Sequence, residues 1–77
     1  MKNIEIFTGP GCSYCDLAKT ALRERGLAFV ERDIGDEIVL AEFRDRLPRV
    51  KSIPQIFVDG EHIGGFDDMM LRLERTN

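Results

Sequence analysis

The stretch Thr8-Gly9-Pro10-Gly11-Cys12-Ser13-Tyr14-Cys15 limits what this chain can fold into more than any other. It contains both cysteines, follows the apolar strand pattern Asn3-Ile4-Glu5-Ile6-Phe7, and leads directly into a helical pattern. Gly9, Pro10 and Gly11 must end the strand, so the thiols fall where a helix begins. From Ser13 onward, Tyr14, Leu17, Ala18, Ala21 and Leu22 recur at spacings of three and four and predict one buried stripe. Lys19, Arg23, Glu24 and Arg25 fill the solvent side, and Gly26 predicts the C-terminal cap. Leu27–Asp33 then reads as a second strand. A strand–helix–strand unit of this kind places its strands parallel with a right-handed crossover.

Two cysteines in a small chain can serve as a staple, a metal site or a redox pair. A bridge across C-x-x-C closes so short a loop that the entropic model assigns it only about 2 kcal/mol. A closed zinc site needs four ligands, and within this chain only His62 adds to the two thiols. Redox chemistry is therefore the best use of the pair, as a transient bridge in a reducing compartment. The attacking species would be a thiolate, and a helix N-terminus favours an anion through its free N–H groups and dipole. Cys12, at the N-cap position, is expected to be the exposed nucleophile; Cys15, one turn inward, is expected to be the buried resolving thiol.

At 77 residues a single domain is expected over 1–77, close to the size at which one core can sustain a fold. The net charge of −3 and pI near 5.0 argue against a nucleic-acid footprint, which requires a basic patch. The longest apolar run, Ile38-Val39-Leu40-Ala41, is far too short to span a bilayer. The first residues hold no signal-peptide apolar region, so the expected location is the cytoplasm.

Further along, Asp36 predicts an N-cap, Glu37 sits in the first turn, and Val39, Phe43 and Leu47, helped by Leu40, form a buried ridge that Pro48 terminates. Arg49-Val50-Lys51-Ser52 is a basic-polar connector, followed by the strand pattern Ile53–Val58. Asp59-Gly60 before Glu61-His62-Ile63 predicts a hairpin, because a type I′ turn needs positive φ at both central positions. His62 reads as a polar residue at a strand edge. Gly64-Gly65 precedes a last helix over Phe66–Arg75, with Met69, Met70, Leu71 and Leu73 as its apolar residues.

A redox C-x-x-C beside a strand–helix–strand pattern reads as thioredoxin-like. Three separated segments make the resemblance more specific: Cys12-Ser13-Tyr14-Cys15, Ser52-Ile53-Pro54-Gln55-Ile56-Phe57 and Gly64-Gly65-Phe66-Asp67-Asp68. Across essentially its whole length the chain resembles the dithiol glutaredoxins. The resemblance implies an α/β, thioredoxin-like fold with element order β-α-β-α-β-β-α. Its sheet would be mixed and four-stranded, in the order 2-1-3-4, flanked by three helices. It implies a glutathione-dependent thiol–disulfide oxidoreductase that reduces protein disulfides and glutathione mixed disulfides, with glutathione as reductant and no permanently bound cofactor. The catalytic pair would be Cys12 and Cys15, and glutathione would be held by Tyr14, Lys51, Ser52, Ile53, Pro54, Gly65, Phe66, Asp67 and Asp68.

Within that set, Pro54 would be cis and would turn the Ile53 backbone outward to pair with an extended substrate. The N–H groups of Phe66, Asp67 and Asp68 would take the γ-glutamyl carboxylate, and the Asp68 side chain its ammonium, unless Asp67 and Asp68 simply cap their helix. The chain departs from the family in two places. Ser13 stands where proline is common, and Gly9 and Pro10 occupy the stretch that often carries a lysine for the glycyl carboxylate. Lys51 or Arg49 is expected to supply that charge. Two other readings fit the same sequence. One is a redoxin reduced by thioredoxin reductase that serves ribonucleotide reductase; the other is an iron–sulfur carrier ligated by glutathione. In the leading reading the chain is a monomer with no metal site.

Overall fold

The computed structural model describes residues 3–75. Along the chain run β1 (Ile4–Thr8), α1 (Ser13–Glu24), β2 (Val30–Asp33), α2 (Glu37–Arg46), β3 (Gln55–Val58), β4 (Glu61–Gly64) and α3 (Phe66–Arg75). The strands form one sheet in the order β2-β1-β3-β4. β1 pairs parallel with β2, Ile6 opposite Glu31, and antiparallel with β3, Ile6 opposite Ile56. β3 and β4 are the antiparallel hairpin, with a register shift at Ile56/Phe57. At its turn Asp59 has φ 51° and Gly60 φ 83°, the two positive values that a type I′ turn requires. This is the thioredoxin-like arrangement expected from the sequence.

Strand alternation divides the interior into two layers. Ile4 and Ile6 of β1 and Ile56 and Val58 of β3 point to one face, where they pack with Ala18, Ala21 and Leu22 of α1 and Met69 and Leu73 of α3. Phe7 and Phe57 point to the other, against Phe43 and Leu47 of α2. Phe7 is fully buried, edge-on to Phe43 (ring centroids 5.3 Å apart) and to Phe57 (5.8 Å). Arg32 and Arg46 lie over the Phe7 ring, and Arg46 also lies 4.0 Å from the Phe57 centroid. The same guanidiniums bridge Glu5 and Glu42, closing a four-residue charge cluster at the mouth of this layer.

The Arg32 hydrogen bonds hold the Glu42 carboxyl below its ordinary range, and Lys19, then Thr8, does the same for Glu31. Lowered carboxyl values mean that any stability these pairs supply is present above about pH 4.3, the unfolded value, and is lost as pH falls through the folded ones. Both carboxylates are partly exposed, so that contribution is small.

Helix ends follow the sequence closely. Asp36 accepts hydrogen bonds from the N–H groups of Ile38 (2.8 Å) and Val39 (3.3 Å). After α1, Gly26 adopts φ 68°, which lets its N–H reach Arg23 O and the Leu27 N–H reach Leu22 O, both at 3.0 Å. Other expectations need correction. Tyr14 and Leu17 are 59% and 51% exposed; the buried face of α1 runs through Cys15, Ala18, Ala21 and Leu22 instead. β2 begins at Val30 rather than Leu27, because Leu27 and Phe29 turn inward to pack on the α1/α3 layer before pairing with β1 begins. β3 begins at Gln55, since Ile53 and Pro54 belong to the turn that precedes it. In α3, Leu71 faces solvent, while Met69 is buried and Met70 packs against the core.

Candidate active site

The end of β1 and the start of α1 meet at the dithiol. Gly11, at φ 69°, reverses the chain so that Cys12 enters as the N-cap of α1 in an extended conformation (φ −102°, ψ 102°). Its Sγ accepts a hydrogen bond from the Cys15 N–H at 3.1 Å. One helix N–H thus already serves that sulfur, and the dipole adds to it. Ser13 is exposed at the first helical position. Cys15 is 1% exposed on the core face of α1, whereas Cys12 is half-buried, and their sulfurs are bonded to each other. Only the Cys12 side of the pair opens outward.

The connector before β3 faces the dithiol. The Ile53–Pro54 peptide bond is cis, and the Ile53 carbonyl oxygen lies 3.7 Å from Cys12 Sγ. Next to it opens a cleft of about 350 Å³, lined by Tyr14, Ser52, Ile53, Pro54, Gln55, Gly65, Phe66, Asp67 and Asp68. Tyr14 and Phe66 form one wall, their ring centroids 5.7 Å apart. This explains why Tyr14 is exposed: it packs on Phe66 along the cleft wall and not into the core. At the other wall Gly65 faces the Pro54 carbonyl, where an added Cβ would sit at 3.6 Å, an ordinary contact distance. α3 begins there, its first N–H groups free of helical partners. One carboxylate oxygen of Asp68 accepts from the Gly65 N–H at 3.3 Å, so in this state the side chain caps its own helix.

Of the residues singled out from the sequence, Tyr14, Ser52, Ile53, Pro54, Gly65, Phe66, Asp67 and Asp68 line this one cleft, with Cys12 across Ile53 from it. Lys51 does not line it; it lies on a neighbouring cleft beside Arg44. Gly9 shows why a larger residue is awkward before the dithiol. A Cβ there would come within 2.7 Å of Ile53 Cδ1 and 3.3 Å of Ile34 Cγ1, space those two side chains now share.

Sequence reasoning missed the support beneath the connector. Gln55 is buried, and its Nε2 donates to Ser52 O (3.2 Å) and Ser52 Oγ (3.3 Å). Its Oε1 is 2.8 Å from His62 Nε2, with the imidazole tilted over Phe57 at 5.1 Å between centroids. His62 and Gln55 thereby fix Ser52, and with it the loop carrying Ile53 and Pro54. A polar residue directly after the proline, inside an otherwise apolar strand, was the available signal. Gln55→Leu is expected to cost about 0.5–1.5 kcal/mol, the net worth of ordinary hydrogen bonds, since the exposed His62 and Ser52 lose their shared partner but can turn to water. It should also raise KM for disulfide substrates severalfold more than it lowers kcat, a split readable by steady-state kinetics.

A dithiol at a helix N-terminus, one sulfur outward and one inward, opposite a cis-proline turn on this sheet, defines a thioredoxin-fold thiol–disulfide oxidoreductase. The comparisons with known proteins narrow the class. The family model described as Glutaredoxin matches residues 4–63. Glutaredoxin 3 of Escherichia coli (strain K12) is 39% identical over 69 residues, spanning 90% of this chain and 83% of its own. The crystal structure of glutaredoxin 1 from Francisella tularensis, complexed with cacodylate, superposes with a TM-score of 0.81 at 33% identity, covering 96% of this chain and 94% of that one. The hybrid peroxiredoxin hyPrx5 of Haemophilus influenzae is 41% identical over 68 residues, which make up 88% of this chain but only 28% of that longer protein. The chain belongs to the glutaredoxin family.

No helix among the described residues is long and apolar enough to cross a membrane. Among them, no group of three or more His, Cys, Asp or Glu side chains gathers as a metal site.

Proposed function

We propose that the chain is a glutathione-dependent oxidoreductase that reduces protein disulfides and removes glutathione from protein thiols. The observation that carries this reading is the cleft of about 350 Å³ between Tyr14–Phe66 and Ser52–Pro54, opening beside Cys12. It has the features a γ-glutamyl tripeptide needs. The Ile53 backbone, which lines the cleft beside Cys12 Sγ, offers strand-like pairing to an extended ligand. The start of α3 offers free N–H groups and a positive dipole end to a carboxylate. Asp67 and Asp68 offer negative charge to an ammonium, Asp68 exchanging its bond to the Gly65 N–H for the ligand.

In the forward reaction the Cys12 thiolate attacks the glutathionyl sulfur of a mixed disulfide. A Cys12–glutathione bond forms, the old disulfide breaks, and the protein thiolate leaves and takes a proton. A second glutathione thiolate then attacks the adduct, releasing glutathione disulfide and restoring Cys12. With a protein disulfide, Cys12 attacks one sulfur and the Cys15 thiolate resolves the adduct. This leaves the Cys12–Cys15 bond, which two glutathione molecules then reduce. Among protein partners, ribonucleotide reductase in its disulfide form is a substrate this chemistry would reduce. A transient bridge of this type belongs in a reducing compartment, the cytoplasm.

Cys15→Ser tests the reading. In an assay coupled to glutathione and its reductase, the variant should keep turnover of a glutathione mixed disulfide within severalfold of the wild type. It should lose most of its reduction of a protein disulfide, by about 10-fold or more, because the neighbouring resolving thiol is gone and only bimolecular attack by glutathione can release that adduct. Wild-type turnover supported by thioredoxin reductase but not by glutathione would overturn the proposal.

A further inference from the structure

A mixed disulfide has two arms, and the cleft between Tyr14 and Pro54 accommodates only one of them. Beyond Ile53 a second, larger cleft of about 620 Å³ opens between α2 and the connector that follows it. Ile34, Leu40, Phe43, Pro48 and Val50 make its floor and walls, with Arg44 and Lys51 among the residues that line it. Phe43 is buried in the aromatic layer, and Ile34, Val50 and Ile53 pack on that same layer while staying partly open. The two clefts adjoin: Ile34 and Ile53 meet over Gly9, and the Ile53 carbonyl lies 3.7 Å from Cys12 Sγ. A chain leaving the sulfur on the side opposite the glutathione cleft therefore crosses Ile53 onto this apolar surface.

Charge narrows the occupant. Lys19, Arg32, Arg46 and Arg72 are committed to ion pairs, whereas Arg44 and Lys51 have none among the described residues. On the Ile34 side, the Asp33 and Asp36 carboxylates are engaged by the N–H groups of Gly35 and of Ile38 and Val39. Arg44 and Lys51 therefore line this apolar surface with no carboxylate partner among the described residues, and Lys51 stands two residues before Ile53, whose carbonyl faces Cys12 Sγ. We propose that this second cleft docks the polypeptide arm of the substrate, taking an extended segment in which an apolar side chain is flanked by carboxylates. The proposal builds on the reading of Cys12 as the attacking sulfur and names the protein substrates it favours.

Two arms test it. In the first, a cysteine-free acidic–apolar peptide (a leucine flanked by glutamates) is titrated into the 15N-labelled full chain. The amide signals of Ile34, Leu40, Val50 and Lys51 should shift and those of Gly65–Asp68 should not. The shifts should weaken severalfold in Arg44→Glu, with Arg44→Gln intermediate and the circular dichroism of both unchanged. In the second, glutathionylated peptides with Leu-Glu-Glu or Leu-Lys-Lys flanks, and the small mixed disulfide of glutathione and cysteamine, are compared as substrates. The acidic peptide should have a kcat/KM about 5- to 20-fold above the basic one, a gap that collapses in 0.5 M salt. Arg44→Glu should erase the preference and leave the cysteamine substrate unchanged. Equal turnover of both peptides, shifts confined to the Tyr14–Phe66 side, or concentration-dependent shifts of the same amides without peptide, which would mark a second copy as occupant, would each overturn the proposal. Failure of the cysteamine substrate in the wild type would sink the glutathione reading alone; the titration still decides the docking site.

Discussion

Cys12→Ser is expected to abolish turnover of every disulfide substrate, by about 10³-fold or more, while the protein stays folded. The reasoning starts at the helix end. Cys12 is the N-cap of α1, and its sulfur accepts the Cys15 N–H at 3.1 Å. Serine is among the preferred residues at that position, and its oxygen can accept the same hydrogen bond, so the cap survives. What is lost is chemistry. A thiol near a helix N-terminus yields a thiolate at neutral pH, whereas a serine hydroxyl does not ionise there and offers no exchange with a disulfide. Far-ultraviolet circular dichroism should overlay on the reduced wild type, and mass spectrometry should find no glutathionyl adduct after treatment with glutathione disulfide. In the Cys15→Ser variant the same treatment should leave one adduct, on Cys12. Adduct formation in Cys12→Ser, or residual activity of more than about 1%, would show that Cys15, at 1% exposure, can attack from inside the core.

The order of elements was legible because each boundary is written in local chemistry. Gly-Pro-Gly stops β1, Asp36 caps α2, Pro48 follows its last turn, and Asp59-Gly60 takes the two positive φ angles of the hairpin. Helix faces were less legible. Tyr14 and Leu17 share the spacing of the buried stripe, but spacing cannot say where the stripe's edge falls, and the cleft uses Tyr14 on its outer side. Strand starts at Leu27 and Ile53 are hard to place from sequence for a related reason: apolar residues that turn into the core beside a strand look like the strand itself. The cleft walls were legible as three motifs far apart in sequence. The Ser52–Gln55–His62 contacts were not, since side-chain hydrogen bonds across a hairpin leave no periodic trace. Lys51, whose place before the proline turn suggests a role beside Cys12, lines the neighbouring cleft.

The largest effect on stability is expected from a residue that takes no part in the chemistry. Phe7 has no exposed surface and joins β1, α2 and β3 through its edge contacts with Phe43 and Phe57. Phe7→Ala removes that ring from a layer whose other members cannot close over the space, at an expected cost of about 3–5 kcal/mol. A chain of 77 residues has about 4–12 kcal/mol in total at ordinary stability per residue. The substitution should therefore consume from about a quarter to all of it, lowering the urea midpoint sharply with little change in slope. Phe7→Leu, which keeps most of the volume, should restore much of the loss, whereas a defect confined to β1 hydrogen bonding would show no such rescue. The consequence reaches the site through one peptide. Thr8, next in the chain, accepts the Ile34 N–H at 2.9 Å, and Ile34 with Ile53 fills the space over Gly9. A loosened Phe7 layer should thus disturb the cleft beside Phe43 and the connector facing Cys12 before the α1/α3 layer gives way. In native-state hydrogen exchange of the Phe7→Leu variant, the amides of Ile34 and Val50 should lose protection ahead of those of Ala21 and Leu22. Uniform loss across both layers would mean that the two halves of the core open as one unit.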